Sequence, residues 1–158
     1  FRRVLFRSDY EEWKQNTRSF CEQNKESFKD REDFLKGFLL HIFTDIYWDE
    51  LAQPKLFEGL EAKGAKPEDL RELKWKELYK FNKSLEGDWL YDEVFPLIKE
   101  AELFPIGTVS KEQLTRYIKD LTGDYQKRAM IDEPPEICNI SMVEKVEEAC
   151  EKEFKNLY

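Results

Sequence analysis

Phe34-Leu-Lys-Gly-Phe-Leu-Leu-His41-Ile-Phe-Thr-Asp45-Ile-Tyr-Trp48 is the stretch on which the fold turns. At about 100° per residue, Phe34, Leu35, Phe38, Leu39, Ile42, Phe43 and Ile46 fall in one broad arc. Leu40 and Tyr47 fall on the opposite side, so the spacing predicts a helix buried nearly all round, in the middle of a bundle. Asp30 is the expected N-cap, residues 31–52 the body and Pro54 the stop. The stretch also carries the chain's only histidine, His41, with Asp45 four residues on. Side chains at i and i+4 stack on one side of a helix. A carboxylate buried there needs its charge compensated. A metal ion, a hydrogen-bonded imidazolium or a solvated cleft would each do so.

The flanking sequence repeats the helical pattern. Asp9 to Asn24 reads as an amphipathic helix with Tyr10, Trp13, Thr17, Phe20 and Cys21 inward. Residues 54–63 form a short helix around Leu56, Phe57 and Leu60, broken by Gly64-Ala-Lys-Pro67. Pro67 opens the next helix, which runs to about Leu85, and another spans Trp89 to Glu102 with a bend or restart near Pro96. Ser110 with Gln113, and Ser141 with Glu144, have the spacing of capping boxes for the last two helices. The final stripe is Val143, Val146, Cys150, Phe154 and Leu157. Residues 123–139, with Pro134-Pro135, form a long connection. The expectation is an all-α fold: a single-domain bundle of six or seven helices over residues 9–158, around the central helix at about 31–52.

Composition agrees with this reading and narrows the function. The chain has 158 residues, with 12 Phe, 7 Tyr and 4 Trp against only six Gly and six Pro, as suits a packed helical domain. A net charge of −8 argues against a nucleic-acid partner, because phosphate binding needs a basic face. No apolar run approaches the roughly 18 residues of a spanning helix. Cys21, Cys138 and Cys150 are odd in number and lack Cys-x-x-Cys spacing, which points to free thiols in a reducing, cytoplasmic setting.

Residues 1–8, Phe-Arg-Arg-Val-Leu-Phe-Arg-Ser, resemble the in-frame translation of a short-read sequencing adapter. On that reading they are foreign, the native part is more acidic still, and the reading frame is truncated upstream, leaving 9–158 as the C-terminal part of a larger domain.

His41 and Asp45 are sensible zinc donors at this spacing, and Asp49, a further turn along, is a candidate third ligand or a group that orients one. Zinc takes three or four protein ligands, so the pair alone cannot suffice. The bland reading is a hydrogen-bonded pair filling a polar gap. Gly37-Phe-Leu-Leu-His41-Ile-Phe-Thr-Asp45-Ile-Tyr-Trp48 resembles the helix of the zinc-dependent phospholipase C family, and especially of small members from gut Firmicutes. The likeness extends loosely from Asp9 to about Leu121. It implies an all-α hydrolase with His41 and Asp45 on zinc and a metal-activated water attacking phosphate esters, such as phospholipid head groups. The family's further histidines are missing here, since His41 has no companion. The resemblance therefore implies a fragment that needs ligands from elsewhere. The alternative is a non-catalytic helical scaffold or interaction protein that keeps the family helix.

Overall fold

The computed structural model describes residues 9–85, 90–105, 108–128, 131 and 133–157. Residues 1–8, the adapter-like segment, lie outside the described residues. The fold is all-α. Among the described residues seven α-helices run in order: α1 (Tyr10–Asn24), α2 (Glu32–Tyr47), α3 (Gln53–Ala62), α4 (Leu70–Leu85), α5 (Phe95–Glu100), α6 (Lys111–Arg128) and α7 (Ile140–Lys155). By its contacts the chain divides into two compact units, one made of the residues up to Lys66 together with those from Asn139 onward, the other of Pro67–Cys138.

In the first unit α2 packs against both α1 and α7. Leu35, Leu39, Phe43 and Ile46 are buried on one face of α2, joined in the core by Cys21 from α1 and by Met142, Val146 and Cys150 from α7. The apolar arc therefore lies inward as its spacing requires. The helix is not covered all round, however: Phe38, Leu40, His41 and Asp45 are exposed. Only two helices flank α2 within this unit, which leaves a side of it open.

Two contacts set how α2 and α7 run. Thr44 Oγ1 meets Cys150 Sγ at 3.7 Å, and the Tyr47 hydroxyl donates to Glu153 Oε2 at 2.9 Å. Both pairs are separated by 106 residues, so the two helices advance in the same direction, turn beside turn. Continued by one and two turns, this register sets Leu40 level with Val146 and Gly37 level with Val143.

Helix ends follow local chemistry with some shifts. Asp9 caps α1, its carboxylate accepting from the Glu12 N–H at 3.1 Å. The Ser110–Gln113 capping box forms reciprocally, at 2.7 and 3.3 Å. The expected Ser141–Glu144 box does not, because α7 begins earlier at Ile140 and the Ser141 hydroxyl turns back to Asn139 Oδ1. Asp30 sits in a single 3₁₀ turn, Lys29–Arg31, ahead of α2 instead of capping it. Pro54 does not stop the central helix cleanly. The coil widens into a π turn over Trp48–Ala52, in which the Gln53 N–H reaches back to Trp48 O, and Pro54 then sits in the first turn of α3. A proline has no N–H to offer the preceding turn, so the widening falls where the α pattern would lose a bond. Gly64, at φ 87°, supplies the left-handed residue after α3. Residues 67–69 form turns, and α4 begins three residues after Pro67.

The second unit is anchored by Glu77 of α4. Its buried Oε1 accepts three successive backbone N–H groups, Glu136 at 2.6 Å, Ile137 at 2.5 Å and Cys138 at 3.0 Å, while Lys80 pairs with Glu133 at 2.7 Å. The end of the Pro134-Pro135 connection is thereby tied to α4. Burial, with the Glu77 charge added, pushes the Cys138 thiol up to about 12. It is a packed thiol, not a nucleophile.

Gly37 stands mid-helix where an added Cβ would meet nothing within 4 Å. Glycine there costs helix stability without relieving a contact. Gly37→Ala should therefore stabilise the fold by roughly 0.5–1 kcal/mol in urea denaturation.

Candidate functional site

His41 and Asp45 share one side of α2, as their spacing dictates, with Nε2 to Oδ2 at 3.7 Å. That distance is too long for a hydrogen bond. Their side chains are 71% and 57% exposed, so the carboxylate has no burial cost to offset and water supplies the solvation. Asp49 lies in the π turn, half-buried, and its carbonyl accepts the Tyr10 hydroxyl at 3.2 Å. The wider turn interrupts the four-residue line that joins His41 to Asp45. Among the described residues no three His, Cys, Asp or Glu side chains come together as a metal site. His41 and Asp45 are thus two open donors where zinc needs three or four, and they do not hold it unaided.

A second constellation escapes sequence reading and is far more buried. Arg18 of α1 grips Glu153 of α7 with two hydrogen bonds, Nε to Oε1 at 2.5 Å and Nη2 to Oε2 at 2.8 Å. Tyr47 of α2 donates to the same carboxylate. Lys14 of α1, also buried, lies 2.7 Å from Glu50 Oε2 in the π turn, 3.1 Å from Glu11 Oε1 and 4.6 Å above the Tyr47 ring centroid. At 2.7 Å the Glu50 carboxylate is the closest partner of the Lys14 ammonium and supports its charge. Three helices and the π turn meet in this one polar cluster.

The charges respond as the geometry requires. The Arg18 hydrogen bonds hold Glu153 below the usual carboxylate range against its burial, and Tyr47 helps. Burial, then the Glu153 carboxylate, pushes the Tyr47 phenol well up. Burial opposes the Lys14 charge, but Glu50 and Glu11 outweigh it and its pKa is raised. Glu153, Arg18, Tyr47 and Lys14 are thereby held in their ordinary charge states at neutral pH, and together they clamp the three helices.

Sequence reading placed Tyr47 on the far, packed side of the central helix and assigned no role to Lys14, Arg18, Glu50 or Glu153. A signal was present. Lys14 shares helical spacing with buried Thr17 and Cys21, and Glu153 with buried Val146 and Cys150. In both helices the buried face is displaced from the purely apolar stripe. Trp13 and Phe20 are more than a third exposed, and Val143 and Phe154 are only half-buried.

Of these, Val143 and Phe154 line a groove of about 540 Å³ along the α2–α7 seam. Leu40, Thr44 and Trp48 form one wall; Val143, Val146, Cys150 and Phe154 form the other. Glu147, Glu151 and Lys155 stand at the lip. Burial raises the Cys150 thiol, partly offset by Thr44, so the groove offers no thiolate.

Comparison with known proteins adds no name: no family model, curated protein or solved structure matches the chain.

Removing the Glu153 carboxylate should be costly, because Arg18, two-thirds buried, and Tyr47 lose their shared partner. Glu153→Ala is expected to destabilise by about 2–3 kcal/mol in urea denaturation. The same cluster sets a pH window. Glu153 has a folded pKa below the ordinary 4.5, so its contribution is complete above about pH 4.5 and is lost as pH falls through the folded value. Tyr47 and Lys14 have folded values above the ordinary 10.0 and 10.5, so theirs are complete below about pH 10 and are lost as pH rises. Denaturation midpoints should form a plateau between these limits, and Glu153→Gln should flatten its acid edge.

Proposed function

We propose that the chain is a non-catalytic helical interaction module whose docking surface is the groove between α2 and α7. The observation that carries this reading is the open apolar seam. Leu40 is 46% exposed, the partly covered Val143 and Phe154 face it across the groove, and nothing in the first unit fills it. The clamp makes the seam usable, since it fixes both walls before any partner arrives and so lowers the ordering cost of binding. Three buried free thiols fit the reducing, cytoplasmic setting of this proposal. None of the described helices is long and apolar enough to cross a membrane.

A second reading keeps the family resemblance. His41 and Asp45 would be half of a zinc site in a phospholipase C-like hydrolase, acting on phosphate esters or phospholipid head groups. One observation favours it: both donors stand on one turn, open to solvent, with room for an ion and further ligands. Those ligands would have to come from outside the described residues, so no catalytic step is assigned to the pair.

Two measurements decide between the readings. Zinc titration calorimetry should give binding weaker than about 10 µM, and a chromogenic phosphodiester should not turn over. The neutral dye N-phenyl-1-naphthylamine should brighten on the native protein, and Leu40→Asp should remove most of that signal while leaving the denaturation midpoint in place. Tight stoichiometric zinc together with turnover, both lost in His41→Ala, would replace the module with the hydrolase.

A further inference from the structure

The groove has a charged edge as well as an apolar floor. On α7, Glu144, Glu147, Glu148 and Glu151 fall within about 100° of arc beside the Val143 and Phe154 side, and all four are exposed. Lys155 is the basic residue at that lip, and Glu151 occupies it at 2.5 Å. On α2, Asp45 is exposed one residue beyond Thr44. Glu147 thus stands negative at the lip of the channel, with the exposed Glu144 and Glu148 beside it on α7 and Lys145 and Lys152 further round the helix.

The shape of the channel is also set. The parallel register of α2 and α7 lays Gly37 level with Val143, Leu40 with Val146 and Thr44 with Cys150. From Val143 to Phe154 the floor spans about three helical turns. One turn beyond Leu40, past the lined part of the groove, Gly37 has no side chain and open space above its backbone. A third helix laid along the seam could approach α2 closely there.

We propose that the α2–α7 groove receives one amphipathic helix of another protein, with an apolar stripe against Leu40, Val143 and Phe154 and with lysines or arginines along the flank that meets the Glu144–Glu151 edge. This deepens the interaction-module reading and rests on it. An apolar stripe recurring every three to four residues is what a seam between two parallel helices accommodates, and basic flanks complement the carboxylates. An acidic helix would place like charges along the same edge, which disfavours it.

The test uses the full chain and two labelled synthetic helices of about 18 residues, with the same leucine stripe but lysine in one flank and glutamate in the other. Fluorescence anisotropy should show the lysine peptide binding about tenfold or more tighter, with the preference shrinking as salt rises from roughly 50 to 300 mM. Leu40→Asp should abolish binding. Glu147→Lys with Glu151→Lys should erase or reverse the preference, and Gly37→Ala should weaken binding although the fold gains stability. All four positions are exposed, and each variant's denaturation midpoint guards against misfolding. Equal binding of both peptides, abolished by Leu40→Asp, would overturn the basic partner and leave the module standing. Dye binding without either peptide would do the same. A concentration-dependent dimer by light scattering, dissociated by Leu40→Asp, would make a second copy the occupant and overturn the proposal.

Discussion

The carboxylate of Glu153 is the point on which the first unit depends. Arg18 from α1 and Tyr47 from α2 both end on it, so one acid on α7 fixes three helices at once. A buried charge is expensive when single and tolerable when its lone pairs are filled, and here both oxygens are engaged. Lys14 and Glu50 repeat the device nearby and bring in the π turn. Apolar burial drives collapse, but it is direction-blind; the polar clamp specifies which faces of α1 and α7 meet α2.

That choice of face has a consequence for the surface. Seating Glu153 inward turns Met142 and Val146 into the core and leaves Val143 and Phe154 at its margin. Seating Lys14 inward does the same to Trp13 and Phe20 on α1. Phe20 and Phe38 then meet as a tilted ring pair, 5.6 Å between centroids, on a partly open flank. Of the residues left at the margin, Val143 and Phe154 line the groove, so the inward seating of Glu153 shapes the proposed docking surface as well as the core.

The His41–Asp45 pair shows the opposite relation. Its spacing is a local fact of the helix and survives intact, yet burial is a property of neighbours, and the neighbours are absent on that side. The premise that a buried carboxylate must be compensated falls away once water reaches it. What remains is a two-donor turn, consistent with part of a metal site and equally with an ordinary polar surface.

Much of the fold was legible in the chain. Helical periodicity, the Asp9 and Ser110 caps and the proline and glycine breaks are decided within a few residues, so α1, α2 and α7 could be placed closely from sequence, whereas α6 runs on to Arg128 through residues read as connection. The ends that moved, at Asp30, Pro54, Pro67 and Ser141, are places where two local options differ by about one cap or one hydrogen bond, and packing chooses. By itself the sequence determined an acidic, all-helical chain with one histidine one turn from an aspartate. Only the tertiary structure decided that charged residues on α1 and α7 face inward, that the His41 side of α2 stays open, and that an apolar seam is left along α7. The reason is that a lysine or glutamate can be buried only where its partner stands, and that partner can lie 135 residues away.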